Sequence, residues 1–167
     1  ADLAMTVMLM LARRAGEGER QLRSGNWGGW FPTHLMGTQV TGATLGIIGM
    51  GRVGRAFAAK ARGFDMDVHY YNRSELSADL AQAATYHSTV ESLLGVADFL
   101  SMHCPATPET TNLMNAGRFA LLPKGAVIVN TARGALIDEN ALMASLDRGH
   151  VAAAGLDCFK VEPGGNP

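Results

Sequence analysis

Cysteine is scarce in this sequence. Cys104 and Cys158 are the two cysteines among 167 residues, and they lie too far apart for metal-ligand spacing. This scarcity argues against a disulfide framework and against a metal site, and it predicts a reduced, cytoplasmic protein. Each cysteine is more typical of a small buried residue than of a reactive thiol.

Long apolar runs and an excess of one charge are also missing. The apolar run "LAMTVMLMLA" from Leu3 is far shorter than the roughly 20 residues that a membrane span needs. Arg13 and Arg14 follow this run instead of preceding it, which is the wrong order for a signal peptide. The net charge is -1, with 47% apolar residues. We therefore expect a folded domain with neither a membrane nor a nucleic acid as partner. Because the sequence opens on Ala1 in mid-pattern, we also expect a fragment of a longer protein.

Short apolar runs alternate with helical stretches from residue 44 onward. Most of the runs are continuous, as in strands that are buried on both faces of a parallel sheet. This alternation predicts an α/β fold of the Rossmann type, a doubly wound parallel sheet with helices on both faces. The predicted strands are "TLGII" (44–48), "DVHYY" (67–71), "FLSMH" (99–103), "AVIVN" (126–130) and "AAAGLDC" (152–158).

Helix ends are readable at three places between these strands. Ser88 with Glu91 predicts a capping box. Thr107 before Pro108 has the pattern of an N-cap followed by the first residue of a helix. Asp138 is the predicted cap of a helix over "ENALMASLDR".

The first 43 residues have a different character. Helical spacing of apolar residues predicts one helix as far as about Arg23, and a Gly-rich aromatic loop follows it. We expect Trp27, Trp30 and Phe31 in this loop to be buried, against the domain or against a partner. Residues 1–43 are thus a predicted helix and dimerisation arm, and residues 44–167 a dinucleotide-binding domain.

A glycine motif follows the first predicted strand. Gly49, Gly51 and Gly54 have the spacing G-x-G-x-x-G, which in isolation is also typical of an ordinary tight turn. Here the motif stands between a strand and a helix, which is the context of a pyrophosphate-binding loop. Arg52 and Val53, at the start of that helix, complete this part of the predicted cofactor site.

After the second predicted strand, the acid expected at a ribose-binding position is missing. Asn72, Arg73 and Ser74 stand there. Without the carboxylate there is no repulsion of a 2′-phosphate, and an arginine can bind it through two nitrogens. The residues therefore predict a preference for NADP (NADPH), with NAD as the other cofactor the site could take. The alternative is that Arg73 is a solvated loop arginine.

Arg133 follows the fourth predicted strand. A forked guanidinium at the carboxyl end of a strand can hold a carboxylate and polarise a carbonyl group. Arg133 is our candidate for this role. The alternative is an arginine that caps carbonyl groups at the edge of the core.

Four segments together carry a family resemblance. They are "LGIIGMGRVGR", "SMHCPATPETTNLM", "VNTARGALIDENAL" and "AAGLDCFKVEP". In this order they resemble the NAD(P)-binding domain of the D-isomer-specific 2-hydroxyacid dehydrogenases. Two further segments, "GGWFPTHLMG" and "HYYNRS", look most like the glyoxylate/hydroxypyruvate reductase branch of that family.

The resemblance implies roles for individual residues. It makes Arg133 the substrate arginine, Glu162 the partner of a catalytic histidine, and Asp157 a contact to the nicotinamide carboxamide. Without it, Glu162 would be a surface residue and Asp157 an acid that terminates a strand. Further implied cofactor contacts are Cys104, Pro105, Thr110, Thr131 and Ala132.

The catalytic histidine is not identified among the five histidines of the sequence. In the family it follows the glutamate, so we expect it, and the substrate domain, to lie outside these 167 residues. His103 stands at a strand end, but its segment resembles one that lines the cofactor. His69 lies inside a predicted strand. We assign catalysis to neither.

Two classes of function remain open. The first is the coenzyme domain of an NADPH-preferring enzyme that reduces glyoxylate, hydroxypyruvate or a similar 2-keto acid to the D-2-hydroxy acid. The second is an NAD(P)-sensing binding module of the corepressor type. In either case the first helix and the arm with Trp27 and Trp30 resemble the dimer-forming elements of the family, which implies a homodimer. A purely structural dimerisation unit is a third alternative.

Overall fold

The computed structural model describes residues 1–162, which form a six-stranded sheet and its helices. The strands are β1 (Thr44–Ile48), β2 (Asp67–Tyr71), β3 (Thr85–His87), β4 (Phe99–Met102), β5 (Ala126–Asn130) and β6 (Val151–Leu156). The helices are α1 (Asp2–Ala12), α2 (Ala15–Arg23), α3 (Arg52–Arg62), α4 (Ala78–Ala81), α5 (Val90–Leu94), α6 (Ala116–Phe119) and α7 (Glu139–Asp147), with a 3-10 turn at Gly134–Leu136.

The strand order is β3-β2-β1-β4-β5-β6, and every pair is parallel. From β1 the chain adds β2 and then β3 on one side. It then crosses back to add β4, β5 and β6 on the other side. The switch point therefore lies between β1 and β4, where the carboxyl ends of the strands leave a crevice for a ligand. This topology confirms the predicted doubly wound α/β fold.

Each face of the sheet carries its own apolar layer of helices. On one face α1 and α3 bury Met8, Phe57 and Ala61 against β1, β2 and β5. On the other face α5, α6 and α7 bury a second cluster that includes Leu93 and Phe119. Because both faces are covered, the central strands read as continuous apolar runs and not as alternating ones.

Three of the predicted strands, β1, β2 and β5, have the predicted bounds. The third predicted strand, β4, ends one residue early, at Met102, and the last, β6, begins at Val151 and ends at Leu156. We did not predict β3. It has only three residues and pairs with β2 along one side, so it lacks the apolar run of a strand with two neighbours.

The predicted helix ends are corrected at several places. The single helix predicted to Arg23 is two helices, because Arg14 takes a left-handed conformation (φ 53°) between them. The cap of α5 is Thr89, whose hydroxyl accepts from Ser92 N, and not Ser88. Residues 108–112 form turns instead of a helix. The cap by Asp138 is confirmed: its Oδ1 accepts from Ala141 N at 3.1 Å.

The arm between α2 and β1 lies on the surface. Trp27, Trp30 and Phe31 are 54%, 79% and 55% exposed, so the prediction that the domain itself buries them is wrong. Burial against a partner stays a prediction. A groove of about 760 Å³ lies between α2 and the arm, away from the carboxyl ends of the strands.

Candidate functional site

The strand register brings the predicted site segments to one edge of the sheet. Ile48, the last residue of β1, pairs with Tyr71 of β2 and with Met102 of β4. Met102 pairs in turn with Asn130, which pairs with Leu156. The segments that follow these five residues therefore lie side by side, at what we call the carboxyl edge.

The glycine loop turns sharply at Gly49. This residue has φ 98°, which favours glycine, and a Cβ placed on it would lie 2.6 Å from Cys104 N. A Cβ on Gly54 would collide with the carbonyl group of Gly49. Gly51 differs, since its Cβ position meets no atom within 4 Å and the residue is exposed. The first and last glycines thus permit the turn and the helix packing, while the middle one leaves room for a ligand.

Helix α3 begins in this open space. Its N-cap is Gly51, which offers no side-chain cap, and Arg52 and Val53 are exposed. The N–H groups of the first turn therefore face solvent without a capping side chain, and the helix dipole adds positive potential there. This arrangement fits the pyrophosphate of a dinucleotide.

Asn72 has a role in the structure that the sequence did not indicate. Its Oδ1 accepts a hydrogen bond from Met50 N at 2.8 Å and so fastens the glycine loop to the end of β2. Arg73 and Ser74, the next two residues, are exposed, and neither side chain makes a hydrogen bond or ion pair within residues 1–162. Both are free to meet a ligand at this edge.

The segment after β4 is folded back by Thr110. The Thr110 hydroxyl donates to Pro105 O at 2.8 Å and accepts from Thr107 N at 2.7 Å. Cys104 is half-buried, and burial raises the pKa of its thiol. A protonated thiol is a poor nucleophile, so we assign no covalent role to Cys104.

His103 packs inward beside this segment. Its ring lies 5.2 Å from the ring of Phe57, and its Nε2 is 2.9 Å from Ser101 Oγ. Burial is the main reason that the pKa of His103 falls to about 4. The imidazole is therefore neutral near pH 7 and holds no proton to give to a substrate. This electrostatic environment agrees with leaving His103 out of catalysis.

The loop after β5 is held by a residue that sequence reasoning missed. Asn130 is fully buried, and its Oδ1 accepts from Ala132 N at 3.0 Å while its Nδ2 donates to Arg133 O at 2.8 Å. The carboxamide therefore spans the turn that contains Thr131. A polar residue that ends an apolar strand just before a candidate catalytic loop was the signal that could have identified Asn130.

Arg133 itself is exposed at this edge. Its Nη1 donates to Ala132 O at 2.6 Å, and its remaining N–H groups make no hydrogen bond to the described residues. The guanidinium is thus attached at one nitrogen and free at the others. The free N–H groups of the guanidinium could therefore pair with a carboxylate from solvent through two parallel hydrogen bonds.

The segment after β6 lies next to the same loop. Asp157 N donates to Asn130 O at 3.0 Å, and the Asp157 side chain is exposed. Burial, followed by the charges of Asp157 and Glu162, raises the pKa of the Cys158 thiol. Glu162 Oε1 accepts from Phe159 N at 2.9 Å, within its own segment.

The predicted site residues therefore all follow the carboxyl ends of β1, β2, β4, β5 and β6. Within residues 1–162 there is no cluster of three or more His, Cys, Asp or Glu side chains that could hold a metal ion. Over the same residues, no helix combines the length and the apolar character needed to cross a bilayer.

Comparisons with known proteins point to one family. Residues 5–167 match the model of the D-isomer specific 2-hydroxyacid dehydrogenase NAD binding domain. The chain is 45% identical to a glycerate dehydrogenase from Hyphomicrobium methylovorum over 98% of its own length and 51% of that protein. It is 40% identical to a glyoxylate reductase from Thermococcus litoralis, over 98% of this chain and 50% of the relative.

Solved structures agree with these sequence matches. The crystal structure of a glyoxylate reductase from Paecilomyes thermophila superimposes with a TM-score of 0.90 at 39% identity, over 99% of this chain and 49% of that one. The chain thus spans about half the length of the relatives it matches. It belongs to the D-isomer specific 2-hydroxyacid dehydrogenase family, and it matches the NAD binding domain of that family.

Proposed function

We propose that this chain is the coenzyme-binding domain of an NADPH-preferring reductase that converts glyoxylate, hydroxypyruvate or a similar 2-keto acid to the D-2-hydroxy acid. The observation that carries the proposal is the convergence on one sheet edge of an uncapped helix N-terminus, the free Arg73 and the half-free Arg133. Relatives named glyoxylate reductase and glycerate dehydrogenase support it.

The cofactor would be held along this edge. The N–H groups at the start of α3, at Arg52 and Val53, would bind the pyrophosphate, and Asp157 would lie near the nicotinamide carboxamide. When bound, a reduced nicotinamide supplies the hydride. Backbone groups of Cys104 and Thr131, with Thr110 bracing its loop, would line the cleft between these ends.

Arg133 would bind the substrate. Its guanidinium has free N–H groups that can pair with the carboxylate of a keto acid through two parallel hydrogen bonds. The same positive charge stabilises the negative charge that develops on the carbonyl oxygen during reduction. Binding requires only a side-chain rotation, because the Arg133 backbone is fixed by Asn130.

Glu162 would act on the proton donor. A carboxylate that accepts a hydrogen bond from an imidazole raises the pKa of that ring, so that it is protonated near neutral pH. The donor is not His103, which is neutral near pH 7 in this environment. No histidine follows His150 in the sequence, so the donor would come from outside these 167 residues.

Arg73 would select the cofactor. It is exposed beside the glycine loop, and no acid occupies the neighbouring position 72. A 2′-phosphate would gain charge-assisted hydrogen bonds from the guanidinium and would meet no carboxylate at that position.

Two measurements test the function. Steady-state kinetics of the protein that contains this chain, on a panel of 2-keto acids with NADPH and NADH, should show reduction of small keto acids with NADPH preferred. Isothermal titration of NADPH into the 167-residue chain should show binding without keto-acid reduction. If the longer protein shows no activity and the 167-residue chain shows no NADPH binding, the proposal is contradicted. NADPH binding without activity in the longer protein would favour the NAD(P)-sensing alternative.

We further propose a homodimer through α1 and the arm. Trp27, Trp30, Phe31 and Met36 leave large apolar side chains exposed on a chain whose sheet is otherwise well covered. Such a concentration of exposed aromatic area is typical of an interface. Sedimentation velocity at micromolar concentration should show a dimer, and Trp30→Ser with Phe31→Ser should weaken it. A monomeric wild-type protein would contradict this proposal.

A further inference from the structure

The segment that bears Glu162 rests directly on the Arg133 turn. A Cβ placed on Gly134 would collide with the backbone carbonyl group of Phe159 and would lie 2.6 Å from Lys160 N. Only a residue without a side chain allows this approach. The turn that carries the substrate-binding arginine and the segment that carries the glutamate are therefore in direct backbone contact.

Two carboxylates hold neighbouring N–H groups of that segment. Glu162 Oε1 accepts from Phe159 N at 2.9 Å, and Glu139 Oε1 accepts from Lys160 N at 2.8 Å. The first bond lies within the segment. The second crosses from the first turn of α7, so it ties the segment to the body of the domain.

The bond from Glu139 is not needed to form the helix. The N-terminus of α7 is already capped by Asp138, whose Oδ1 accepts from Ala141 N. An acid in the first turn also stabilises a helix through the dipole, but for that it need not contact another segment. Glu139 is half-buried and reaches a residue 21 positions along the chain. The hydrogen bond that Glu139 accepts therefore holds the segment and is not part of the helix cap.

Little else holds the segment. Asp157 N and Cys158 Sγ both donate to Asn130 O, the latter at 3.7 Å, and these bonds end at Cys158. For residues 159–162 the described hydrogen bonds are the two made by the carboxylates. All four of these residues are exposed. Among residues 1–162, removal of the Glu139 carboxylate would leave packing on Gly134 as their remaining contact with the rest of the domain.

We propose that Glu139 is a positioning residue for the reaction: it fixes the Glu162-bearing segment against the Arg133 turn, so that the two functional side chains keep a constant separation. The inference rests on the proposed function for the roles of Arg133 and Glu162. It adds a residue that touches neither the cofactor nor the substrate and acts through Lys160 N. Its loss should therefore affect turnover and the protonation of the donor, while cofactor affinity stays the same.

We call the hydrogen bond from Lys160 N to Glu139 the clamp, and it can be tested without a measurement of enzyme activity. Amide hydrogen exchange by NMR, on the 167-residue chain, should show Lys160 N–H exchanging about tenfold faster in Glu139→Ala, the size expected for loss of a charge-assisted hydrogen bond. Glu139→Gln keeps an acceptor oxygen and should restore most of the protection. Asn140→Ala, in the same helical turn and with its side chain exposed, is the matched control and should leave Lys160 unchanged. Equal exchange in wild type and Glu139→Ala would overturn the clamp.

The positioning role is tested in the protein that contains this chain. In Glu139→Ala we expect kcat to fall about tenfold and the acidic limb of the pH–rate profile to shift, because a displaced Glu162 no longer raises the pKa of the donor, while the cofactor Kd is unchanged. Glu139→Gln should recover most of kcat. Faster exchange with unaltered kcat and pH profile would overturn the positioning role. An inactive wild-type protein would instead contradict the proposed function, and with it the role in turnover, whatever the exchange result.

Discussion

At the β2 end of the carboxyl edge, the half-buried Asn72 makes one hydrogen bond to its neighbouring loop, from Met50 N to its Oδ1. At the β5 end, Asn130 is fully buried and uses both its oxygen and its nitrogen, on Ala132 and Arg133. Asn72 directly follows β2 and Asn130 is the last residue of β5, and each of them holds a loop. They differ in how completely they are enclosed.

This difference matches what the two halves would have to do. The glycine loop would close on a flexible dinucleotide, and a single bond leaves it room to adjust. The Arg133 turn would hold a guanidinium to within a fraction of an ångström of a small substrate, and a buried carboxamide with two partners removes that freedom. The predictions below separate the two halves, beginning with the largest effect.

Asn130→Asp should destabilise the protein by about 3 kcal/mol, because it removes the donor to Arg133 O and places a carboxylate in a fully buried site. Asn72→Asp is the matched control. It keeps an acceptor for Met50 N at a partly exposed position and should cost less than about 1 kcal/mol. Urea unfolding of both variants measures the difference, and equal losses would mean that the two loops are held alike.

Arg133→Lys should lower kcat/KM at least about 100-fold, since lysine keeps the charge but loses the planar fork that places the keto acid. The cofactor Kd should be unchanged, because the backbone of the turn is held by Asn130. Steady-state kinetics and NADPH titration of the same preparation check both statements. An unaltered rate would show that the substrate carboxylate is bound elsewhere.

Arg73→Ala should weaken NADPH binding about 10–150-fold, the equivalent of roughly 1.5–3 kcal/mol for a charge-assisted bond to phosphate, and should leave NADH binding nearly constant. The effect should shrink as salt rises, because the side chain is exposed. Nicotinamide fluorescence titration is the readout. Arg148→Ala, an exposed arginine at the end of α7, is the control. Equal weakening of both cofactors would make Arg73 an ordinary surface residue.

Acidification should act through His103, which directly follows β4 and lies between the two halves. Its pKa is about 4 in the fold, against an ordinary value of 6.5, so between these pH values the unfolded chain binds a proton that the folded chain does not. Stability should therefore be full above about pH 6.5 and fall toward pH 4, by on the order of 3 kcal/mol for this residue. His87, whose pKa burial also lowers, adds to the same trend.

A His103→Asn variant separates this contribution from that of His87. Its free energy of unfolding should depend less steeply on pH between 6.5 and 4 than that of wild type, as measured by urea titrations at fixed pH. A slope identical to that of wild type would show that folding does not lower the pKa of His103.

Asn72→Asp should have the smallest effect on function. The new carboxylate can still accept from Met50 N, but its charge repels a 2′-phosphate and favours a ribose hydroxyl. We expect the ratio of NADPH to NADH affinity to fall about fivefold, the scale of a screened surface interaction of about 1 kcal/mol. Competition titration of the two cofactors measures this affinity ratio. An unchanged ratio would mean that the residue at position 72 contacts the glycine loop and not the cofactor.

Sequence reasoning located most of the strands, because the central strands of the sheet are buried on both faces. A strand with two covered faces is mainly apolar, which located β1 and β5. The strand β2, whose residues alternate between buried and more exposed, also has the predicted bounds. The same reasoning missed β3, which is held by one neighbour, and it did not separate α1 from α2, because the backbone turns at Arg14 without any glycine or proline. The sequence also did not show which surface the aromatic arm packs against. Trp27 and Trp30 are exposed on the single chain.

For the candidate site, the sequence determined the chemical types and their order: glycines at 49, 51 and 54, Arg73 in place of an acid, and Arg133 after a buried strand. These follow from local rules of turn geometry and charge. Only the tertiary structure decided which groups hold them. Asn72 reaches Met50, Asn130 spans the Arg133 turn, and Glu139 reaches Lys160, contacts that bridge 22, 3 and 21 positions. A side chain that bonds to backbone has no required partner type in the sequence, so the distant contacts of Asn72 and Glu139 emerge only when the fold brings the two groups together.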